Sequence, residues 1–503
     1  MTDLRALISG SDVRGKALGE GAALTGEVAE RLGGSFARFL WLKTGHRPRV
    51  YIGRDSRLTG EALSAAFAGG LCAAGAEVVS VGMCTTPAMY MILITEGWGG
   101  DGSVMVTASH LPMDRNGFKF FLPDGGIGLD TLKEILALAE SGDDYSRAGG
   151  SVTEKNFLPD YCGLLRARIL KGLGTDEEQP LLGLHVAVDA GNGAGGFYAD
   201  FLRSLGAVTE GSRYLEPDGH FPNHIPNPED PAAMASISEA VRESGADMGV
   251  IFDTDCDRAA IVDSTGREIN RNRLIALVSA VLLDAAPGIT VVTDSVTSTG
   301  LKNFIASHGG VHYRFKRGYH NVIEQARRLN AEGVDCPLAM ETSGHAALRE
   351  NHFLDDGMYL VTVLIGDAVR MKRRGKELFD LIADLSDPME SAEVRLTISA
   401  ADFRAVGQEA IDRVTARGES DPEWHIAPDN REGIRISFDF DGRKESAWFL
   451  LRLSVHDPVL PLNMESDVKG ACLRMARELL GILGDIADVD ASNLKKFIDS
   501  AGA

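Results

Sequence analysis

The sequence predicts an α/β protein: three successive α/β units with mixed, mainly parallel sheets, followed by a smaller α+β unit. Three observations predict it. Apolar strand-like runs alternate with helix-like segments almost throughout the chain. That rhythm restarts twice, each time with a polar or Gly-rich turn after a strand. Near residue 387 the pattern changes to alternating strands and one amphipathic helix.

In chain order, RVYIGRD reads as a strand ending in a polar turn, and TGEALSAAFAGGLCAAGA as the helix after it. AEVVSVGMCTTP and GSVMVTASH are further strands. Residues 141–155, SGDDYSRAGGSVTEK, are polar and Gly-containing, as a linker should be. LHVAVDAGNGAGGFYADFLRSLGAVT is a strand, a Gly-rich turn and a helix, and ADMGVIFDTDCDRAAIVD a strand running into an acidic loop. A further unit runs from ITVVTDSVTSTGLKNFIASHG through CPLAMETSGHAAL. Beyond SDPMESAEVRLTIS come the strands GIRISFDFD and SAWFLLRLSV, then the helix SDVKGACLRMARELLGILGDIAD. The expected domains are 1–150, 151–268, 269–388 and 389–503.

With 503 residues, 44% hydrophobic and 24% charged, the chain is too long for one core and has the balance of a soluble enzyme. Its formal charge of −21 disfavours nucleic acid and anionic membranes as partners. No apolar run suits a signal peptide or a membrane span. The six scattered cysteines show no metal-ligand spacing, which fits reduced packing thiols and a cytoplasmic location. Oligomeric state is not readable.

Three loops carry chemistry. In VTASHLPMDRNGFKFF, Ser109 stands beside His110 in a turn closed by Pro112, an oxygen nucleophile next to a titratable base. An ordinary turn serine gives the same pattern. In Asp253-Thr254-Asp255-Cys256-Asp257-Arg258, carboxylates at alternate positions form an oxygen cage for a hard divalent cation. A calcium loop is disfavoured, because Arg258 occupies loop position six and Thr265, followed by Gly266, sits near the end. In Met340-Glu341-Thr342-Ser343-Gly344-His345, Glu341, Ser343 and His345 supply an acceptor, a donor-acceptor and a titratable donor for a polyhydroxyl ligand. A capped helix start would look similar. All three loops follow strands, where open α/β sheets bind ligands, so a central cleft is expected to gather them.

At these motifs the sequence resembles the α-D-phosphohexomutase family of phosphoglucomutases and phosphomannomutases. SDVRG and GRDSRLTG are similar to its first two turns, and TASHLP resembles the phosphoserine loop TASHNP. DTDCDR resembles the metal loop DGDGDR, and ETSGH the sugar loop GExSGH. DAGNGAGG and PDGHFPNHIPNPEDP are also similar to family segments. The resemblance implies a phosphohexomutase that interconverts hexose 1-phosphate and hexose 6-phosphate, of glucose or mannose, through a hexose 1,6-bisphosphate that also acts as activator. It implies three α/β domains and a C-terminal lid around the cleft. Ser109 would be the phosphorylated residue and, with Asp253, Asp255 and Asp257, hold Mg²⁺. Arg258 would steady the phosphoryl group, and Arg14 would reach it. Lys119 and His110 are general acid/base candidates. Glu341 and Ser343 would read sugar hydroxyls with His345 nearby, and Lys316, in YRFKRGYH, would lie near the substrate. Arg14, Arg54, Lys119, Arg258 and Lys316 would together supply positive charge inside an acidic protein.

The sequence departs from the family in its last domain. The phosphate clamp RPSGTEP is replaced by Arg452-Leu453-Ser454-Val455-His456-Asp457-Pro458, with no downstream base. Arg452, Ser454 and His456 retain phosphate-binding capacity, whereas Val455 stands where Gly would allow close backbone approach. This leaves two alternatives beside the mutase: a hexose 1,6-bisphosphate synthase using the same phosphoserine, and a non-catalytic sugar-phosphate sensor.

Overall fold

The computed structural model describes residues 3–141, 146–454 and 457–501. Val455 and His456 of the variant clamp lie outside the described residues. The chain divides into two compact units, Met1–Asn270 with Ser343–Leu378, and Arg271–Thr342 with Phe379–Ala503.

The first unit contains a mixed sheet in the order Ile8–Ser9, Asp12–Lys16, Arg115–Leu122, Gly102–Val106, Arg49–Arg54, Glu77–Met83, Ser151–Glu154. The last four strands are parallel, and Arg115–Leu122 runs antiparallel to both its neighbours. Ser151–Glu154 falls within the stretch that reads as a linker. Its Val-Thr pair extends readily, and it adds to the sheet edge beside Glu77–Met83. The helices Gly26–Thr44 and Gly60–Ala73 cover one face, where Phe36 meets Phe120 edge-on at 5.1 Å and Phe67 stacks on Phe118 at 5.0 Å. A second sheet runs Glu268–Ile269, Ala259–Asp263, Met248–Phe252, Val186–Asp189, with only its last pair parallel. The hairpin Ala346–Leu348 and Leu354–Asp355 and the helix Gly357–Lys372 complete the unit.

In the second unit, Val311–Arg314 and Leu338–Met340 flank Thr290–Thr293 in parallel, as the βα rhythm of this region predicts. The last domain is a six-stranded antiparallel sheet, His425–Ile426, Ile434–Phe438, Ala447–Leu451, Val459–Ser466, Glu390–Ile398, Val489–Asp490. It packs on the helices Phe403–Ser420 and Ala471–Leu483 through an apolar core that includes Trp424, Phe438 and Phe449. Among the described residues no helix is long and apolar enough to cross a membrane, and all six cysteines are free.

Candidate active site

The strand Gly102–Val106 delivers the chain into the turn that carries Ser109, a buried residue with φ of 51°. A side-chain-bearing residue pays about 1 kcal/mol for that left-handed conformation, so neighbouring contacts must hold it. The Ser109 hydroxyl donates to Asp253 Oδ2 at 2.7 Å. His110 Nδ1 lies 3.2 Å from Ser109 Oγ, and Arg258 Nη2 lies 3.5 Å from Ser109 Oγ.

Asp253, Asp255 and Asp257 occupy the turn between the buried strands Met248–Phe252 and Ala259–Asp263. A ligand atom from each lies within 4.8 Å of the others. The turn is braced from two sides. Thr86, whose helix start is capped by Thr85 accepting from Ala88 N, gives its N–H to the Asp255 carbonyl at 2.9 Å and its hydroxyl to Asp255 Oδ2 at 2.5 Å. Gly357 gives its N–H to the Asp257 carbonyl at 2.9 Å. A Cβ at Gly357 would sit 2.5 Å from the Arg258 carbonyl carbon, so only glycine allows this approach. Cys256 takes φ of 64°, the left-handed geometry that glycine adopts most readily.

Lys119, buried on Arg115–Leu122, bridges two of these carboxylates, donating to Asp255 Oδ2 at 3.0 Å and to Asp257 Oδ2. Arg258 donates from Nε and Nη2 to Asp253 Oδ2, both at 3.2 Å. It is itself held by Asn227 Oδ1 at 3.3 Å and Glu229 at 3.7 Å. Even so, Asp255 Oδ1 and Asp257 Oδ1 are buried without a hydrogen-bond partner. Burial and the charges of Asp257 and Asp255 push Asp253 well above the usual carboxylate range. Burial pushes Asp257 the same way, but Lys119, His345 and Arg258 outweigh it and hold that carboxyl below the usual range. Three crowded carboxylates with unpartnered oxygens fit a hard divalent cation, which would relieve both the repulsion and the missing contacts.

The remaining predicted residues fall in two places. Arg14 lies in the first unit, where burial opposes its charge while Asp12, at 2.8 Å, and more distantly Asp255 and Asp257 favour it. His345 also belongs there, bonded through Nδ1 to Asp355 and joined to Arg258 by a backbone bridge. Burial works against its protonation, but Asp355 prevails and raises it to about 9. His110 goes the other way, pushed to about 3 by burial and by Arg258 and Arg14, so its imidazole is neutral. Arg54 donates to the Asp55 carbonyl at 3.2 Å and lies 3.8 Å from Glu61.

Ser343 begins the second segment of the first unit, whereas Glu341 belongs to the second unit, where its Oε1 accepts the Gly318 N–H at 2.6 Å. Thr342 anchors that loop by donating its hydroxyl to Asp294 Oδ2 at 2.7 Å. Lys316 is exposed, next to Arg317, whose N–H donates to Glu432 at 3.1 Å. Arg452 is buried with its Nε donor unpartnered, and half-buried Ser454 accepts from the Asp457 N–H at 3.3 Å. Sequence reasoning missed Arg57, Thr86, Asn227, Glu229 and Asp355. The motifs GRDSRLTG and PNPEDP contain three of them, without revealing what they touch.

The chain matches three family models of phosphoglucomutase/phosphomannomutase: α/β/α domain I over residues 5–146, domain II over 168–266 and domain III over 270–389. The chain belongs to the phosphoglucomutase/phosphomannomutase family. It is 31% identical to a phosphoglucomutase of Neisseria gonorrhoeae over 486 residues, covering 95% of this chain and 97% of that protein. It is 34% identical to a phosphomannomutase of Salmonella montevideo over 470 residues, covering 90% and 93%. A crystal structure of a phosphoglucomutase/phosphomannomutase family protein from Burkholderia thailandensis superposes with a TM-score of 0.78 at 27% identity, covering 96% of this chain and 99% of that one. Membership makes this chain an isomerase that works by phosphoryl transfer.

Proposed function

We propose that this hexose phosphate mutase interconverts the 1- and 6-phosphates of glucose, mannose or both, through phosphorylated Ser109 and a hexose 1,6-bisphosphate. The observation that carries the reading is the Ser109 hydroxyl, 2.7 Å from one carboxylate of a buried three-carboxylate cage and within reach of Arg258. Asp253, Asp255, Asp257 and the Ser109 oxygen would hold Mg²⁺, which supplies charge neutralisation to the phosphoryl oxygens when bound.

The chain's own groups do the rest. Arg258 and Arg14 balance charge on the transferring phosphoryl group. The Ser109 O–P bond breaks as a bond forms to the sugar oxygen. The sugar hydroxyl proton passes to neutral His110 and from there to the Ser109 oxygen, which then donates to Asp253, while Lys119, kept charged by Asp255 and Asp257, is the acid candidate. We assign Glu341 and Ser343, with His345, to the sugar loop, and Lys316, Arg452 and Ser454 to the substrate phosphate.

Ser109→Ala removes the nucleophile alone. Wild type given glucose 1,6-bisphosphate should gain one phosphate by intact mass, and the variant should gain none and lose turnover of both hexose 1-phosphates. Wild-type rates in the variant would refute the reading. The variant clamp favours a second reading, a synthase that releases the bisphosphate, and counting bisphosphate escape per turnover separates the two.

A further inference from the structure

We propose that Arg57, a residue that reaches neither sugar nor phosphate, is the positioning residue that sets the Ser109 oxygen in line for phosphoryl transfer. The inference rests on the reading of Ser109 as the phosphorylated residue.

Two motifs of the sequence, GRDSRLTG and PDGHFP, have no part in the chemistry described above, and both meet at Arg57. Its side chain is fully buried. Nη1 donates to the carbonyls of Pro112 at 2.9 Å and Arg115 at 2.8 Å. Nη2 donates to the carbonyls of Leu111 at 2.6 Å and of Ser109 itself. One planar cation thus holds four carbonyls of the phosphoserine turn, a task that needs the guanidinium's fixed fork of donors.

The other end of the Ser109 residue is tied to the same centre. Asp55 lies 3.3 Å from Arg57 Nε, accepts the Arg57 N–H at 2.9 Å and accepts the Thr107 hydroxyl at 2.6 Å. Thr107 Oγ1 in turn accepts the Ser109 N–H at 2.9 Å. The Ser109 amide is held through Thr107 and its carbonyl directly by Arg57. A left-handed serine between two such fixed points has little freedom to swing its oxygen, which is what over-determination of an unfavourable backbone looks like. The PDGHFP loop closes the turn from outside. The Phe221 ring lies 5.4 Å from the Arg57 guanidinium, and a Cβ at Gly219 would meet Leu58 N at 2.5 Å and Ser56 O at 2.6 Å.

Ser109 must present one oxygen geometry as a hydroxyl and as a phosphate ester, with Asp253 and Arg258 fixed on the far side. A misplacement of about 1 Å costs on the order of 100-fold in rate without touching substrate binding. Arg57→Met keeps the volume and removes the fork. Its kcat should fall on the order of 100-fold while KM for glucose 1-phosphate stays within about twofold. The rate at which glucose 1,6-bisphosphate phosphorylates Ser109, read by intact mass, should fall in parallel. In Arg57→Ala, added guanidinium ion should restore part of kcat, whereas sodium at equal ionic strength should not.

Gly219→Ala tests the same idea with the Arg57 network chemically intact, and it should show the same fall in kcat at constant KM. A folded Arg57→Met with kcat and phosphorylation rate within threefold of wild type would overturn the proposal. If Arg57→Met does not fold, the Gly219→Ala result decides in the same terms. Absence of phosphate on wild-type Ser109 would instead refute the underlying reading.

Discussion

Lys119 is the residue whose replacement should separate charge compensation from catalysis. Its ammonium lies 3.0 Å from Asp255 and bonds Asp257, in a buried cluster where Arg258 serves Asp253. Removing one partner of a buried ion pair typically costs about 3–5 kcal/mol, because the remaining charge stays in low dielectric. A melting shift of about 2 °C or more per kcal/mol then predicts that Lys119→Met in EDTA melts roughly 6–10 °C below wild type. Divalent metal should reverse most of that loss. Two unit charges about 4 Å apart at an effective dielectric of about 20 interact by about 4 kcal/mol. An ammonium that shares two carboxylates with a cation therefore opposes its binding. Lys119→Met should bind Mg²⁺ at least about tenfold more tightly, a difference of about 1.4 kcal/mol. Turnover should nevertheless fall by about 100-fold or more, as expected for loss of a proton-exchanging group. Thermal melts across a Mg²⁺ titration, with EDTA as the zero point, read stability and affinity together. Equal melting of the two proteins in EDTA, or unchanged Mg²⁺ affinity, would refute this account of the site's charge.

Two further outcomes are expected. Asp356 caps the helix Gly357–Lys372, accepting the Tyr359 N–H at 2.7 Å and the Asn351 amide at 3.0 Å, and burial raises it to about 7 from an ordinary 3.8. The native state thus holds its proton more tightly than the unfolded chain. Stability from this group is complete below about pH 4 and is lost as pH rises through 7. Asp356→Asn keeps a good cap without the charge, so its melting temperature relative to wild type should be higher at pH 8 than at pH 5.5; a pH-independent difference would refute the assignment. Arg452→Ala removes a buried guanidinium with an unpartnered donor from the variant clamp. Charge-assisted bonds are worth about 1.5–3 kcal/mol, so turnover should come to depend more strongly on added hexose 1,6-bisphosphate. Unchanged bisphosphate dependence would show that Arg452 does not hold the intermediate.

The parts legible in the sequence are those encoded by neighbours. Each chemical loop follows an apolar run of three to five residues, and the structure ends a strand at all three places, before Thr107, Asp253 and Glu341. The alternating carboxylates of residues 253–257 also announce themselves, since they need no distant partner to look crowded. What stayed hidden depends on long separations. Arg57 reaches Ser109 across 52 residues and Thr86 reaches Asp255 across 169. Neither turn nor helix cap has a local signal for such a partner. Ser151–Glu154 was hidden for another reason: four residues at a sheet edge, mostly exposed, have the composition of a linker. The fate of the basic residues was illegible too, because a sequence gives the number of cations near a site but not the carboxylates that have already taken them.

That last point changes how an acidic protein draws in a phosphate ester. Arg14 is matched by Asp12 at 2.8 Å, Arg57 by Asp55 at 3.3 Å, and His345 by Asp355, so none of these pairs adds net charge. What remains is Asp253, Asp255 and Asp257 against Lys119 and Arg258, with Asp253 held well above the usual carboxylate range, so the cluster carries no net positive charge. By themselves these groups offer a phosphate dianion no net attraction, in keeping with the formal charge of −21 on the whole chain. A divalent cation in the cage would favour all three carboxylates in their charged form and bring the local sum to a single positive charge. At an effective dielectric of about 20, one unit of charge at about 4 Å is worth about 4 kcal/mol, enough to draw an anionic ligand to the loaded site. The basic residues do not make the site attractive by themselves. They bring the carboxylate cage close enough to neutral that one divalent ion bound there would decide the sign of the local charge.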